Sequence, residues 1–172
     1  MRRKHRPGGG RQLEVTIETL GARGDGVVLL PGDDESAAEP LYLAQTLPGE
    51  RVLARLGGPS PQGLRGEVIE LLVPSPDRVE PPCPHFGAVG GCLLQQFALA
   101  PYRAWKRGRL VEALRKRAFA EAEALVRPLL ALPPGTRRRA SFSALRQGRR
   151  VLLGFNRRFS HAVEDMSECH LL

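Results

Sequence analysis

From Gln12 the chain alternates between apolar and polar positions. Leu13, Val15 and Ile17 fall on one side and Glu14, Thr16 and Glu18 on the other, which is the period of a half-buried strand. Gly21, Gly24, Asp25 and Gly26 then supply turn residues ahead of an apolar run over 27–30. Further strand-like runs cover 41–44, 51–56 and 66–73, divided by an acidic loop over 32–39 and by the turn Leu47-Pro-Gly-Glu50. Five short strands punctuated this way predict a small closed or partly open barrel. Alternation alone also allows a sandwich of the same length.

The pattern changes after Val73. Residues 74–82 are proline-dense, and each residue before a proline is held extended, so this stretch reads as a connector with a domain boundary near Ser75. Pro101 stands where a first helical turn tolerates it, and Leu110, Val111 and Leu114 lie at helical spacing, predicting a helix that runs to about Ala118 with Gly108 as its weak point. Residues 138–145 and 151–156 flank Arg146-Gln-Gly-Arg149 and predict an antiparallel hairpin turning at Gly148. Phe142, Phe155 and Phe159, with Tyr102 and Trp105, are expected in the core. The fold class is therefore mainly β with an α+β second part: a barrel over 12–73, a connector over 74–82, and a loop, helix and hairpin region over 83–172. Residues 1–11 hold five Lys/Arg and three consecutive glycines; they read as a disordered basic arm, because they bury too little to offset the entropy of ordering.

Charge sharpens this division. The net charge is +8, yet residues 12–82 carry five Lys/Arg against twelve Asp/Glu, whereas 83–172 carry sixteen against six. Basic flanks around an acidic middle point to a polyanionic partner contacted by the arm and the C-terminal half, since neutralising phosphates releases counterions. Arg137, Arg138, Arg139, Arg149, Arg150, Arg157 and Arg158 are the candidate nucleic-acid contacts, guanidinium forks being suited to phosphates and to stacking on unpaired bases. No apolar stretch approaches the roughly 20 residues that a membrane helix needs. Glycines rather than a secretory core follow the basic start, so a cytoplasmic protein is expected.

Three cysteines, Cys83, Cys92 and Cys169, are too few for a disulfide scaffold. Thiolates are soft ligands, and the glycines between the first two let backbone amides approach sulfur, which suits an iron–sulfur or zinc site. On spacing alone, two loop cysteines with no metal role remain an equal reading. The segment Cys83-Pro-His-Phe-Gly-Ala-Val-Gly-Gly-Cys92-Leu-Leu-Gln95 resembles the Cys-Pro-x-x-x-x-Cys-Gly-Gly-Cys-x-x-Gln signature of bacterial RNA uracil-5-methyltransferases. Leu20-Gly-Ala-Arg-Gly-Asp-Gly26 and Leu47-Pro-Gly-Glu50 resemble the OB-like TRAM module of that family. Ser75-Pro-Asp-Arg78 is similar to its linker, and Gly154-Phe-Asn-Arg-Arg-Phe-Ser-His161, followed by Cys169, to the segment that delivers its last cluster cysteine.

The resemblance implies the TRAM and cluster portion of an S-adenosylmethionine-dependent enzyme that methylates uridine in RNA, 23S ribosomal RNA ahead of transfer RNA. It also implies a cluster held by Cys83, Cys92, Cys169 and a fourth cysteine, whose place is taken here by Val89. Three thiolates leave open a three-iron cluster, a labile four-iron cluster or none, with zinc on the three cysteines and His85 or His170 as a lesser alternative. No glycine-rich cofactor loop appears and no further cysteine is present to attack uracil. The chain alone is thus expected to be catalytically silent, either truncated, or joined by a separately encoded methyltransferase half, or acting as an RNA-binding adaptor.

Overall fold

The structure is a computed structural model describing residues 10–31, 38–158 and 160–172. Most of the basic arm, most of the acidic loop and Phe159 therefore lie outside the described residues. The chain divides into two compact units, Met1–Pro76 and Asp77–Leu172.

The first unit is a barrel. Strands β1 (Gln12–Thr16), β2 (Thr19–Leu20), β3 (Gly26–Leu30), β4 (Glu39–Leu43), β5 (Arg51–Ser60) and β6 (Gly63–Val73) lie in the order β1-β5-β6-β4-β3-β2. β1 and β2 are nearly continuous, so one stretch of chain pairs with β5 at its start and with β3 at its end. The Ile17 N–H donates to the Glu50 carbonyl at 2.8 Å and the Glu18 N–H to the Val27 carbonyl at 3.0 Å across that junction. This closes the sheet on itself. β4 and β6 pair in parallel, and every other pair is antiparallel, the arrangement of an OB-like barrel. Three register irregularities between β5 and β6 bend these long strands around the core, since an extra residue on one strand kinks it and raises its twist.

The alternation read from the sequence sets which side faces inward. Val15 and Ile17 are buried while Glu14, Thr16 and Glu18 are exposed. They join Val28, Leu41, Leu43, Val52 and Ala54 in one core. Glu50 is also fully buried; its carboxylate accepts the Leu47 N–H at 2.8 Å and the Ser75 N–H at 3.3 Å, so the 47–50 turn and the end of the barrel are tied by one side chain.

The second unit opens with Asp77–Val79 held along Gln96–Ala98: the Ala98 N–H donates to the Asp77 carbonyl and the Val79 N–H to that of Gln96, at 2.9 and 2.8 Å. Helix α1 (Leu99–Arg115) has Pro101 in its first turn, where an N–H would lack an intrahelical acceptor in any case. The helix ends before the expected Ala118, which takes a left-handed φ of 64°. A short α2 (Ala122–Leu125) follows, joined to α1 by ion pairs of Glu123 with Arg107 and Arg115. β7 (Ser143–Gln147), β8 (Arg150–Asn156) and β9 (Val163–Asp165) form a three-stranded antiparallel sheet.

The expected hairpin is present, with Gly148 at a φ of 65°, but its first strand begins at Ser143 rather than Arg138. The stretch before it is drawn to the C-terminal tail instead, the Gly135 and Arg137 N–H groups each donating at 3.0 Å to the His170 and Leu171 carbonyls. The core placement expected for Phe142 is also corrected. It is 41% exposed, and among the described residues its ring neighbour is Phe155, with ring centroids 4.9 Å apart. Tyr102 and Trp105 are half-buried, stacked on each other.

Candidate cysteine loop and RNA-binding surface

The loop from Cys83 to Cys92 is shaped by its own backbone. The Phe86 N–H donates to the Cys83 carbonyl at 3.0 Å, and the Ala88 and Val89 N–H groups to the His85 carbonyl at 3.2 and 3.3 Å. Gly87 sits between them at a φ of 89°, a conformation that costs a side-chain-bearing residue roughly 1–2 kcal/mol.

This compact loop then docks on the end of β8. Val89 forms an antiparallel bridge with Arg157, the Gly90 N–H donates to the Asn156 carbonyl and the Arg158 N–H to the Ala88 carbonyl, both at 3.2 Å. Val89 is only 4% exposed. His85 reaches the segment leading to Cys169: its Nε2 accepts the Ser167 N–H at 3.2 Å and lies 3.1 Å from the Ser167 hydroxyl, while Nδ1 is 3.7 Å from Glu164. The other oxygen of Glu164 pairs with Arg157 at 2.7 Å.

All three cysteines are free thiols, Cys83 buried and Cys92 and Cys169 half-buried. Among the described residues no group of three or more His, Cys, Asp or Glu side chains is arranged to hold a metal ion. Of the four positions at which the family resemblance places cluster ligands, three keep a thiol. The fourth position is an isopropyl group, and His85 is engaged by Ser167 and Glu164.

The candidate RNA contacts fall into two groups. Arg137, Arg138, Arg139 and Arg149 are exposed, and among the described residues they have no carboxylate partner. Arg150 pairs with Asp165 at 2.6 Å and Arg157 with Glu164. Arg158 is half-buried and its backbone belongs to the loop dock. Asp165 also accepts the Leu153 N–H at 3.0 Å. That backbone hydrogen bond first, then the Arg150 guanidinium, holds its carboxyl below the usual aspartate range.

No protein-family model matches the chain. Individual proteins do. Over 91% of its length it is 40% identical to an uncharacterized RNA methyltransferase of Caulobacter vibrioides, covering 35% of that protein. A Brucella suis RNA methyltransferase, also uncharacterized, is 43% identical over 91% of the chain and 34% of its own length. The 23S rRNA (uracil(1939)-C(5))-methyltransferase RlmD of Vibrio vulnificus is 33% identical over 94% of the chain and 36% of its own length. The chain resembles the RNA methyltransferases. It spans about a third of the length of the curated relatives it matches. These relatives give no support to a separately encoded catalytic half.

Among the described residues no helix is long and apolar enough to cross a membrane. Sequence reasoning missed Gln96, which is fully buried and among the described residues has no partner for either amide atom; Gln95, which closes the cysteine signature, likewise has its Oε1 unpaired among them. Nothing in the linear pattern distinguishes a buried glutamine from a solvated one.

Proposed function

We propose that the chain is the RNA-binding portion of an S-adenosylmethionine-dependent RNA (uracil-C5)-methyltransferase of the 23S ribosomal type, its barrel being the TRAM-like module. The observation that carries this reading is the exposed set Arg137, Arg138, Arg139 and Arg149, free of carboxylate partners among the described residues, in a chain similar to RNA methyltransferases. A guanidinium without an internal carboxylate can take a phosphate with no ion pair to break. Arg150, Arg157 and Arg158 contribute second, the first two after exchanging Asp165 and Glu164 for phosphate. Similarity to RlmD favours ribosomal over transfer RNA.

Methyl transfer at C5 of uracil needs a thiolate to add at C6 first, and this reading places that nucleophile and the methyl donor in the two-thirds of the relatives that the chain does not span. Incubated with ribosomal RNA and S-adenosylmethionine, the chain alone is expected to transfer no methyl group.

The test is a salt series of binding to a single-stranded, uridine-containing RNA. Reversing Arg137, Arg138 and Arg139 to glutamate weakens binding and lowers the slope of log Kd against log salt by about 2, at roughly 0.7 per phosphate contact. An unchanged affinity and slope would remove these arginines from the interface.

A further inference from the structure

We infer that this chain keeps its cysteine loop in place with a metal-free clasp in which Val89 is the apolar pin. A cluster-bound loop turns its thiolates toward a shared centre and spends nearby amides on the sulfurs. Here the chemistry on either side of Val89 is spent on protein. The Gly90 N–H is used by the Asn156 carbonyl and the Ala88 carbonyl by the Arg158 N–H, so the loop is added to the end of β8 as a short ladder.

The side chain between these two bonds is an isopropyl group, 4% exposed, at the one of the family's four cysteine positions that lacks a thiol here. It gains from burial what a ligand would gain from a metal bond, though far less. His85 closes the second side. Its Nε2 accepts the Ser167 N–H, its Nδ1 faces Glu164, and Glu164 is itself anchored by Arg157. The loop is therefore fastened both to the end of β8 and to the segment carrying Cys169, with no thiol taking part.

The fold of this unit then needs no iron and does not respond to iron supply or to oxidation of a cluster. This inference uses none of the leading RNA contacts Arg137, Arg138, Arg139 and Arg149, so it can fail while their RNA binding stands, and the reverse.

The test uses the full chain, produced with added iron and purified without oxygen. Iron and acid-labile sulfide are expected well below stoichiometric amounts, with no visible absorption band and a melting temperature unchanged by EDTA. Val89→Ala lowers the melting temperature by about 5–10 °C, and the near-isosteric Val89→Thr lowers it by a smaller amount, neither altering iron content. Stoichiometric iron and sulfide with a melting temperature that drops on chelation overturns the clasp, and so does Val89→Ala melting with the unaltered chain.

Discussion

In the barrel Ile17, Leu41, Leu43 and Val52 are sealed from solvent, whereas in the second unit Leu130 and Leu132 stand 88% and 76% exposed and Val151 and Leu153 lie open on their strand. The second unit buries Cys83, Val89, Phe97, Val111 and Ala122 as its apolar interior among the described residues. Its elements are joined instead by ion pairs, Arg107 and Arg115 with Glu123, Arg150 with Asp165 and Arg157 with Glu164, and by loop hydrogen bonds. Burial of an apolar side chain is worth about 1.5–3 kcal/mol, while an exposed ion pair contributes roughly 0–1. Similar elements thus rest on unequal foundations.

That contrast is broken most directly by deletion of matched leucines. Leu43→Ala, in the sealed core, should cost about 2–5 kcal/mol in urea unfolding, and Leu153→Ala, on the open strand, no more than about 0.5; comparable losses would show that the second unit has a core of its own. A smaller effect of opposite sign is expected at Gln96. Its amide is buried and unpaired, so Gln96→Met should stabilise the second unit by about 1 kcal/mol, the desolvation penalty of such a group being roughly 1–3. Destabilisation in the same unfolding assay would mean that the amide has a partner that matters.

The weakest effect concerns acid. Asp165 is held below the usual aspartate range by the Leu153 N–H and Arg150. A carboxyl with a depressed folded-state pKa contributes stability above its unfolded value and loses it as pH falls through the folded one. The second unit should therefore loosen as pH drops below the ordinary aspartate range, and Asp165→Asn should flatten that part of the stability curve while leaving the barrel unchanged. An identical acid limb in the variant would assign the loss to other carboxylates.

Much of the barrel was legible because one face of each strand is buried, which writes period two into the sequence, as Leu13, Val15 and Ile17 show. What closes it was not, since β2 is two residues long and no periodicity fits in two residues. In the second unit β9 hides for a related reason: Val163, Glu164 and Asp165 are all half-buried, so neither face is marked. Arg138 to Phe142 read as strand from composition, but their neighbours pair with the C-terminal tail, a contact between residues more than thirty positions apart in the sequence. The cysteine loop showed its relationship through Cys83 and Cys92. Its mode of attachment depends on Asn156, Arg157 and Ser167, which no local motif indicates.

The junction of β1 and β2 also governs when the barrel can form during synthesis. β1 pairs with residues 51–55 and β4 with residues 64–66, so the first strand made has no neighbour until most of the barrel has been translated. Contacts this distant in sequence form late and slowly. The nascent chain therefore presents Leu13, Val15 and Ile17 as an unpaired strand while it is still being made, the kind of exposed apolar edge that invites aggregation.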